Sequence, residues 1–293
     1  MDSKVYGAGN VAKTTLLLAG IGGLLVALGY LLGGMGGAVI GLVLGVGISG
    51  VSYWKSDALA IRASGAQPVA EHDAPELHAA VAELARRAGL PKPRVYLIES
   101  PQPNAFATGR NPEHAVVAVT RGLVELCDKD EVMGVLAHEL GHIRHRDILI
   151  GSVAAAIATA ISFVANMAMW AGMFGGGNDD DGPSPVAVIA IAITAPIAAG
   201  LLQMALSRSR EFEADRAGAE LMGDPEPLAR ALLKLDQVAA RTPADVVPAQ
   251  ASAYIVNPLR GRKPVNATKW FTTHPPVEER VARLRALRVE PVR

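Results

Sequence analysis

The sequence has little of three things, and each shortage excludes a class of protein or site. It holds a single cysteine, Cys127, so no disulfide can form within the chain and nothing indicates an oxidising compartment. Its formal net charge is +0, which gives no global field to attract nucleic acid, so we expect no nucleic-acid partner. Aromatic residues make up only 4% of a chain that is 50% hydrophobic. An apolar excess of alanine, valine, leucine and glycine suits transmembrane helices better than a large aromatic core.

Charge is missing altogether from Thr14 to Trp54. One helix of that length would extend about 60 Å, twice the thickness of a hydrocarbon core of about 30 Å. The stretch therefore predicts two membrane spans joined at the glycine-rich residues 33–37, with a cleaved signal peptide as the competing interpretation of the first span. Positive charges flank the pair at both ends and none lies between them, which places both ends in the cytoplasm: Lys4, Lys13, Lys55 and Arg62.

Two further spans are predicted in the second half of the chain. Residues 148–178 carry no charge, residues 175–185 form a polar turn with acids but no lysine or arginine, and residues 186–207 are again apolar. The same charge rule places that turn outside the cytoplasm. We therefore expect a four-pass membrane protein whose termini are both cytoplasmic, bound to the lipid bilayer. Its predicted parts are a transmembrane hairpin at 1–55, a soluble part at 56–147, a second hairpin at 148–207 and a second soluble part at 208–293.

The soluble parts are predicted to be α+β and mainly α. Asp73 with Glu76 and Asp128 with Glu131 each match a capping box, the first followed by a helix that Gly89 ends. Residues 95–98 and 115–119 are short β-branched runs typical of strands. Residues 103–109 between them are compatible with an exposed edge strand that holds an extended peptide, or equally with an ordinary strand of the sheet.

His138 and His142 are the residues around which the chain is organised. Four residues apart on a helix, they lie one turn above the other on one face, where two imidazoles can bind one Zn²⁺. Glu139 beside them can act on the metal's water. Chance remains an alternative for so short a motif. Glu211 and Asp215 are also four apart and can supply a third ligand and a carboxylate that holds a ligating imidazole, or can simply pair with nearby arginines on a solvated surface.

The set of motifs as a whole resembles the HtpX-type membrane zinc metalloproteases. The residues that carry the resemblance are His138-Glu-Leu-Gly-His142, the apolar hairpin after it, Glu211-Phe-Glu-Ala-Asp215, Asn104-Ala-Phe-Ala-Thr-Gly109 and His274-Pro-Pro276. The resemblance implies a cytoplasmic gluzincin-like protease domain with one zinc held by His138, His142 and Glu211. It also implies a bacterial inner-membrane location, polypeptide substrates among damaged membrane proteins, a place in the stress response, and other membrane quality-control proteins as partners.

Roles for the remaining residues follow in part from the chemistry and in part from that resemblance. Three protein ligands leave a fourth position open for water, as in catalytic sites, and Glu139 would act as the general base. Asp215 would hold a ligating histidine. Candidates for substrate binding or for stabilising the oxyanion are Asn104, Ala105, Phe106, His274 and Arg280. Arg280 also belongs to a basic run with Arg283, Arg285 and Arg288 that is typical of a solvated helix face.

Three rival functions share parts of this pattern. An intramembrane protease would place the histidine helix at mid-bilayer, where the charges on both sides of it would be costly. A prenyl-protein endopeptidase shares both metal motifs but has more spans than are predicted here. A membrane adaptor with a structural zinc would need no general base, and Glu139→Gln would leave it unchanged.

Overall fold

The computed structural model of the chain describes residues 3–151, 153, 208–239, 241, 254–256 and 275–289. These residues form a mainly helical α+β structure, as predicted, with one small sheet. In chain order the elements are α1 Ser3–Trp54, α2 Ser56–Ser64, β1 Gln67–Pro68, α3 Pro75–Ala88, β2 Arg94–Ile98, β3 Ala105–Thr108, a 3₁₀ turn Pro112–His114, β4 Val116–Thr120, α4 Arg121–Leu126, α5 Lys129–Arg144, α6 Arg208–Met222, α7 Glu226–Ala239 and α8 Val277–Ala286.

The sheet has the strand order β1-β2-β4-β3. β2 and β4 run parallel, whereas β3 is antiparallel to β4 and pairs Phe106 with Ala118. Both predicted strands are confirmed. β3 lies at one edge of the sheet, but it is not the exposed strand of the first alternative, because Ala105, Phe106 and Thr108 are buried. Because side chains alternate along a strand, Val117 and Val119 pack under the helices while Phe106 and Ala118 face the opposite side.

α5 lies at the centre of the core. Leu136, Leu140 and Ile143 are fully buried on it, and it packs against α3, α6, α7 and β3. Its first turn is closed by the predicted capping box, in which the Asp128 carboxylate accepts from the Glu131 N–H and Glu131 accepts from the Asp128 N–H. Glu131 is itself buried and is paired with Lys234 of α7 at 2.6 Å. The helix that carries the histidines is therefore fixed at its start.

The capping box predicted for α3 is wrong. Its N-cap is Ala74, which makes no side-chain cap bond, because the helix begins at Pro75 and leaves Asp73 one position too early. Asp73 instead lies in the preceding turn, where its N–H donates to Ala70. The predicted end is confirmed, since Gly89 takes the left-handed conformation at φ 66°.

The apolar α1 reverses direction near its middle. Gly34 has φ 58°, and a Cβ built on Gly41 would lie 2.2 Å from the Leu25 carbonyl oxygen, an approach that a straight helix excludes. Within the described residues, the segment Gly34–Trp54 is the one helix long and apolar enough to cross a membrane, and Thr14–Ala27 is a shorter apolar helix. Four spans are not confirmed, because the predicted second hairpin falls outside the described residues except for 148–151 and 153.

Candidate metal centre

His138, His142 and Glu211 converge on one point inside the protein. The two Nε2 atoms are 3.2 Å apart, and the Glu211 carboxylate oxygens lie 3.6 Å from Nε2 of His142 and 3.8 Å from Nε2 of His138. Ligands at about 2.0–2.2 Å from a tetrahedral ion are about 3.3–3.6 Å from one another. The spacing and the two-imidazole, one-carboxylate donor set therefore fit a single metal ion such as Zn²⁺.

Two glycines allow the helices that carry these ligands to come so close. A Cβ on Gly218 of α6 would lie 2.9 Å from the His138 backbone nitrogen, and one on Gly141 of α5 would lie 3.1 Å from the Ala214 carbonyl oxygen. In both cases the added Cβ would meet backbone atoms of the other helix, so a larger residue could be accommodated only if the two helices moved apart. Gly141 lies within the histidine motif, whereas Gly218 belongs to none of the motifs singled out from the sequence.

Each imidazole has a carboxylate at its second ring nitrogen. Nδ1 of His138 is 2.9 Å from Asp215, the predicted partner, and Nδ1 of His142 is 3.3 Å from Asp147. An acceptor at Nδ1 leaves the lone pair on Nε2, which is the atom that points to the shared centre. Asp147 was missed at the sequence level. Arg146 takes φ 58° in the turn after α5, which brings Asp147 back towards the histidine.

Arg280 lies inside the protein and not on a solvated helix face, so that prediction is wrong. Its exposed fraction is 0%. Nε and Nη2 donate to the two oxygens of Asp215 at 2.9 and 2.6 Å, and Nη1 donates to the Ile255 carbonyl at 2.9 Å. Nη1 is also 3.6 Å from Glu211. A fork of this kind satisfies a guanidinium that is far from water.

Burial and these charges displace the pKa values of the cluster in different directions. Burial raises the pKa of Glu139 to about 7, helped by the nearby Glu211 carboxylate. Burial lowers the pKa of His138 to about 4, and Arg280 adds to that effect. For His142 burial acts downward too, but the hydrogen bond to Asp147 and the charge of Glu211 outweigh it and raise the pKa to about 9. The pKa of Asp215 is lowered despite its burial, because Arg280 and His138 stabilise the carboxylate.

The edge strand β3 passes beside Glu139. The Ala107 N–H donates to the Glu139 carboxylate. Further along the strand, the Ala105 carbonyl accepts from Ile255, and the Asn104 side chain donates to the Val256 carbonyl at 2.8 Å. Phe106 lies on the other face, with its ring centroid 5.2 Å from that of Tyr254.

The structure thus brings together most of the residues predicted from sequence. Glu139 adjoins the three candidate ligands, and Asn104 and Ala105 lie on the neighbouring strand end. Arg280 reaches the cluster through Asp215. His274 lies outside the described residues.

Comparisons with known proteins agree with this geometry. The family model described as Peptidase family M48 matches residues 71–288. A curated protein named Protease HtpX homolog, from Desulfatibacillum aliphaticivorans, is 48% identical over 283 residues, which cover 96% of this chain and 90% of that protein. Another of the same name, from Gemmatimonas aurantiaca, is 50% identical over 279 residues, covering 95% of this chain and 99% of that protein.

A solved structure has a similar fold. The crystal structure of S. mikatae Ste24p aligns with a TM-score of 0.50 and 20% sequence identity, covering 95% of this chain and 66% of that chain. At this identity the likeness concerns the fold alone.

Proposed function

Because the chain belongs to peptidase family M48, we propose that it is a membrane-bound zinc endopeptidase that cleaves damaged membrane proteins at the cytoplasmic membrane surface. The observation that carries the proposal is the convergence of His138, His142 and Glu211 with Glu139 beside them. The family membership and the relatives named as proteases make the chain a membrane-associated metalloprotease; the choice of zinc, the roles of the residues and the substrates are proposed.

The ligands in this proposal are Nε2 of His138, Nε2 of His142 and the Glu211 carboxylate. Two neutral nitrogen donors and one carboxylate favour zinc among the divalent metals, and a set of three leaves the open position of a catalytic site. When bound, the metal supplies Lewis-acid chemistry, which lowers the pKa of water and polarises a carbonyl group. Asp215 and Asp147 fix the tautomers of the two histidines by accepting at Nδ1.

Glu139 is the proposed general base and general acid. A carboxylate beside the open position can accept a proton from water and release it again, and the burial of Glu139, which raises its pKa, favours the protonated form in between. It takes the proton of the attacking water and then gives it to the nitrogen of the leaving amine. The Ala107 N–H holds the carboxylate in place, so the general base is oriented by the edge strand.

The substrate is proposed to bind as an extended strand along β3. Ala105 and Ala107 direct their main-chain groups away from β4, where the Ala105 carbonyl already accepts from Ile255 and the Ala107 N–H already donates to Glu139. A bound peptide would therefore pair with the Ala107 carbonyl or displace the Ile255 contact. An extended peptide that adds to such an edge is held by main-chain hydrogen bonds and so needs little side-chain specificity. That suits a protease for unfolded segments of diverse sequence. The second oxyanion donor in this proposal is His274 or a backbone N–H of residues 104–106.

The location at the membrane is supported by how closely the apolar helix adjoins the site. α1 ends at Trp54, and the Arg110 side chain that follows β3 lies over the Trp54 ring at 5.1 Å. Tryptophan and positive charge at the end of a span are typical of a cytoplasmic membrane interface. We propose the multi-pass inner-membrane arrangement with cytoplasmic termini, so that juxtamembrane segments of other proteins reach the site.

The test is cleavage of an unfolded polypeptide by the purified full-length protein, with and without a chelator. Wild type is expected to cleave only with metal, and Glu139→Gln is expected to keep the metal and lose at least 100-fold of the activity. Glu125→Gln is a matched control, because Glu125 is an exposed glutamate on α4 away from the cluster. Full cleavage by Glu139→Gln would refute the assignment of the general base. Absence of cleavage by the metal-loaded wild type would refute the enzymatic function and leave the adaptor.

The alternative of a prenyl-protein endopeptidase is less well supported. The relatives at 48–50% identity are named as HtpX protease homologues, whereas the resemblance to Ste24p is limited to the fold. A farnesylated peptide offered beside an unmodified unfolded substrate separates the two functions, since a general endopeptidase does not require the lipid.

A further inference from the structure

Arg280 occupies the back of the metal centre, and the proposed function gives it no role. It enters from α8, and its guanidinium is within 3.6 Å of three other segments: Asp215 and Glu211 on α6, the Ile255 carbonyl, and the His138 ring on α5. A completely buried arginine is costly unless each of its N–H groups has an acceptor. Its retention at this point therefore calls for an explanation.

The hydrogen bonds of Arg280 lead to Asp215 and Ile255, which favours a positioning role over that of an oxyanion donor. Nε and Nη2 are committed to the two oxygens of Asp215, and Nη1 is committed to Ile255. Nη2 lies 3.4 Å from Nδ1 and 3.5 Å from Nε2 of His138, so the guanidinium lies against the edge of that ring, while Asp215 bonds to Nδ1. Its shortest contact with the site is the fork to Asp215, at 2.6 and 2.9 Å.

Resting on the proposed function, we propose that Arg280 is a positioning residue: it clamps Asp215 in the orientation that accepts from Nδ1 of His138 and so directs Nε2 of that histidine to the metal. The chain from Arg280 to Asp215 to His138 is continuous, with steps of 2.6 and 2.9 Å. A bidentate fork fixes a carboxylate plane, whereas a lysine ammonium at the same place is a point charge that does not. The same guanidinium also holds Ile255, which in turn donates to Ala105 at the edge strand.

The test measures metal affinity without any substrate. Full-length variants are stripped of metal and titrated with Zn²⁺ against a chelating dye and with Co²⁺, whose visible spectrum reports the ligand geometry. The set is Arg280→Met, Arg280→Lys, Asp215→Asn and the double variant. Arg285→Met is the matched control, because Arg285 lies on the same helix and forms an exposed pair with Glu226 on α7.

Loss of the outer partner of a ligating histidine is expected to weaken zinc binding about 10- to 100-fold. Arg280→Met should show that loss together with a changed cobalt spectrum, Arg280→Lys a smaller loss, and Arg285→Met none. The double variant should bind about as weakly as Asp215→Asn alone, because the arginine acts through the aspartate. If Arg280→Met does not fold, the double variant, which removes both buried charges, and Arg280→Lys carry the comparison.

Two results would overturn the proposal. One is a zinc affinity and cobalt spectrum of Arg280→Lys or Arg280→Met equal to those of Arg285→Met. The other is a loss of zinc affinity in the double variant that equals the product of the losses in the two single variants. Failure of the proposed function is seen separately, as a wild-type protein that binds zinc yet cleaves nothing.

Discussion

Replacing Gly218 by alanine is expected to damage the metal centre without touching a ligand. The new Cβ would lie 2.9 Å from the His138 nitrogen, 3.1 Å from its Cα and 3.2 Å from the Ala137 carbonyl carbon. All three are backbone atoms of α5, so no side-chain rotation relieves the contact. Ordinary contacts are about 3.5–4.0 Å, so α6 must move from α5 by about 0.5–1 Å at this point.

The size of the effect follows from two opposing terms. Overpacking of this kind costs about 1–3 kcal/mol, and alanine returns about 1 kcal/mol because it is a better helix former than glycine. Net destabilisation is therefore about 0–2 kcal/mol. Glu211 lies two turns before Gly218 on the same face of α6, so it shares much of the displacement. A metal site tolerates about 0.2 Å in its ligand distances, and we expect zinc affinity to fall at least 10-fold.

Gly134→Ala provides the matched control. It introduces the same methyl group into α5 one turn before His138, and its Cβ would lie 2.7 Å from the Leu228 nitrogen of α7, not from α6. It should cost at least as much stability in thermal melting of the metal-free protein while leaving zinc affinity close to wild type. Equal affinity losses for the two variants would show that destabilisation in general, and not the spacing between α5 and α6, governs the site.

Other consequences concern stability. Asp128→Ala removes the N-cap of α5 and should cost about 1 kcal/mol in chemical denaturation. Glu139→Gln should stabilise the metal-free protein, because the folded pKa of about 7 exceeds the unfolded value of 4.5. The fold disfavours the ionised form of Glu139, so the gain in stability is absent below pH 4.5 and grows between pH 4.5 and pH 7. Above pH 7 it is at most about 3 kcal/mol, and thermal melting at a series of pH values measures it. Chelation should lower the melting temperature of wild type, since zinc at 100-fold its Kd contributes about 2.7 kcal/mol. Glu211→Gln should make that difference much smaller.

Much of the site could be predicted because it depends on local spacing. The four-residue interval of His138 and His142, the capping box at Asp128 and the run of β-branched residues at 95–98 are all determined by neighbours along the chain. Local patterns of this kind survive folding when tertiary contacts agree with them. At Asp73 the same rule misled, because a capping-box pattern does not determine on which residue the helix begins.

What escaped prediction depends on contacts between distant segments. Arg280 belongs to a run of four arginines, and the other three, Arg283, Arg285 and Arg288, are exposed as predicted. Nothing in the local pattern distinguishes Arg280 from them. Its burial is decided by Asp215, far away in the sequence. Asp147 joins the site through a non-glycine residue in the left-handed region, which the sequence gives no reason to expect.

The charges around the centre explain why a dication suits it. Among the described residues, the buried acids at or next to the ligands are Glu139, Glu211, Asp215 and Asp147, and the buried cations beside them are Arg210 and Arg280. With neutral histidines this group carries two more negative charges than positive ones. A proton on Glu139 or His142 relieves the excess in part; burial is the larger cause of the raised pKa of Glu139, whereas Asp147 and Glu211 raise the pKa of His142. A divalent ion relieves it fully and displaces those protons, so metal binding, proton release and the joining of α5 to α6 are a single coupled equilibrium.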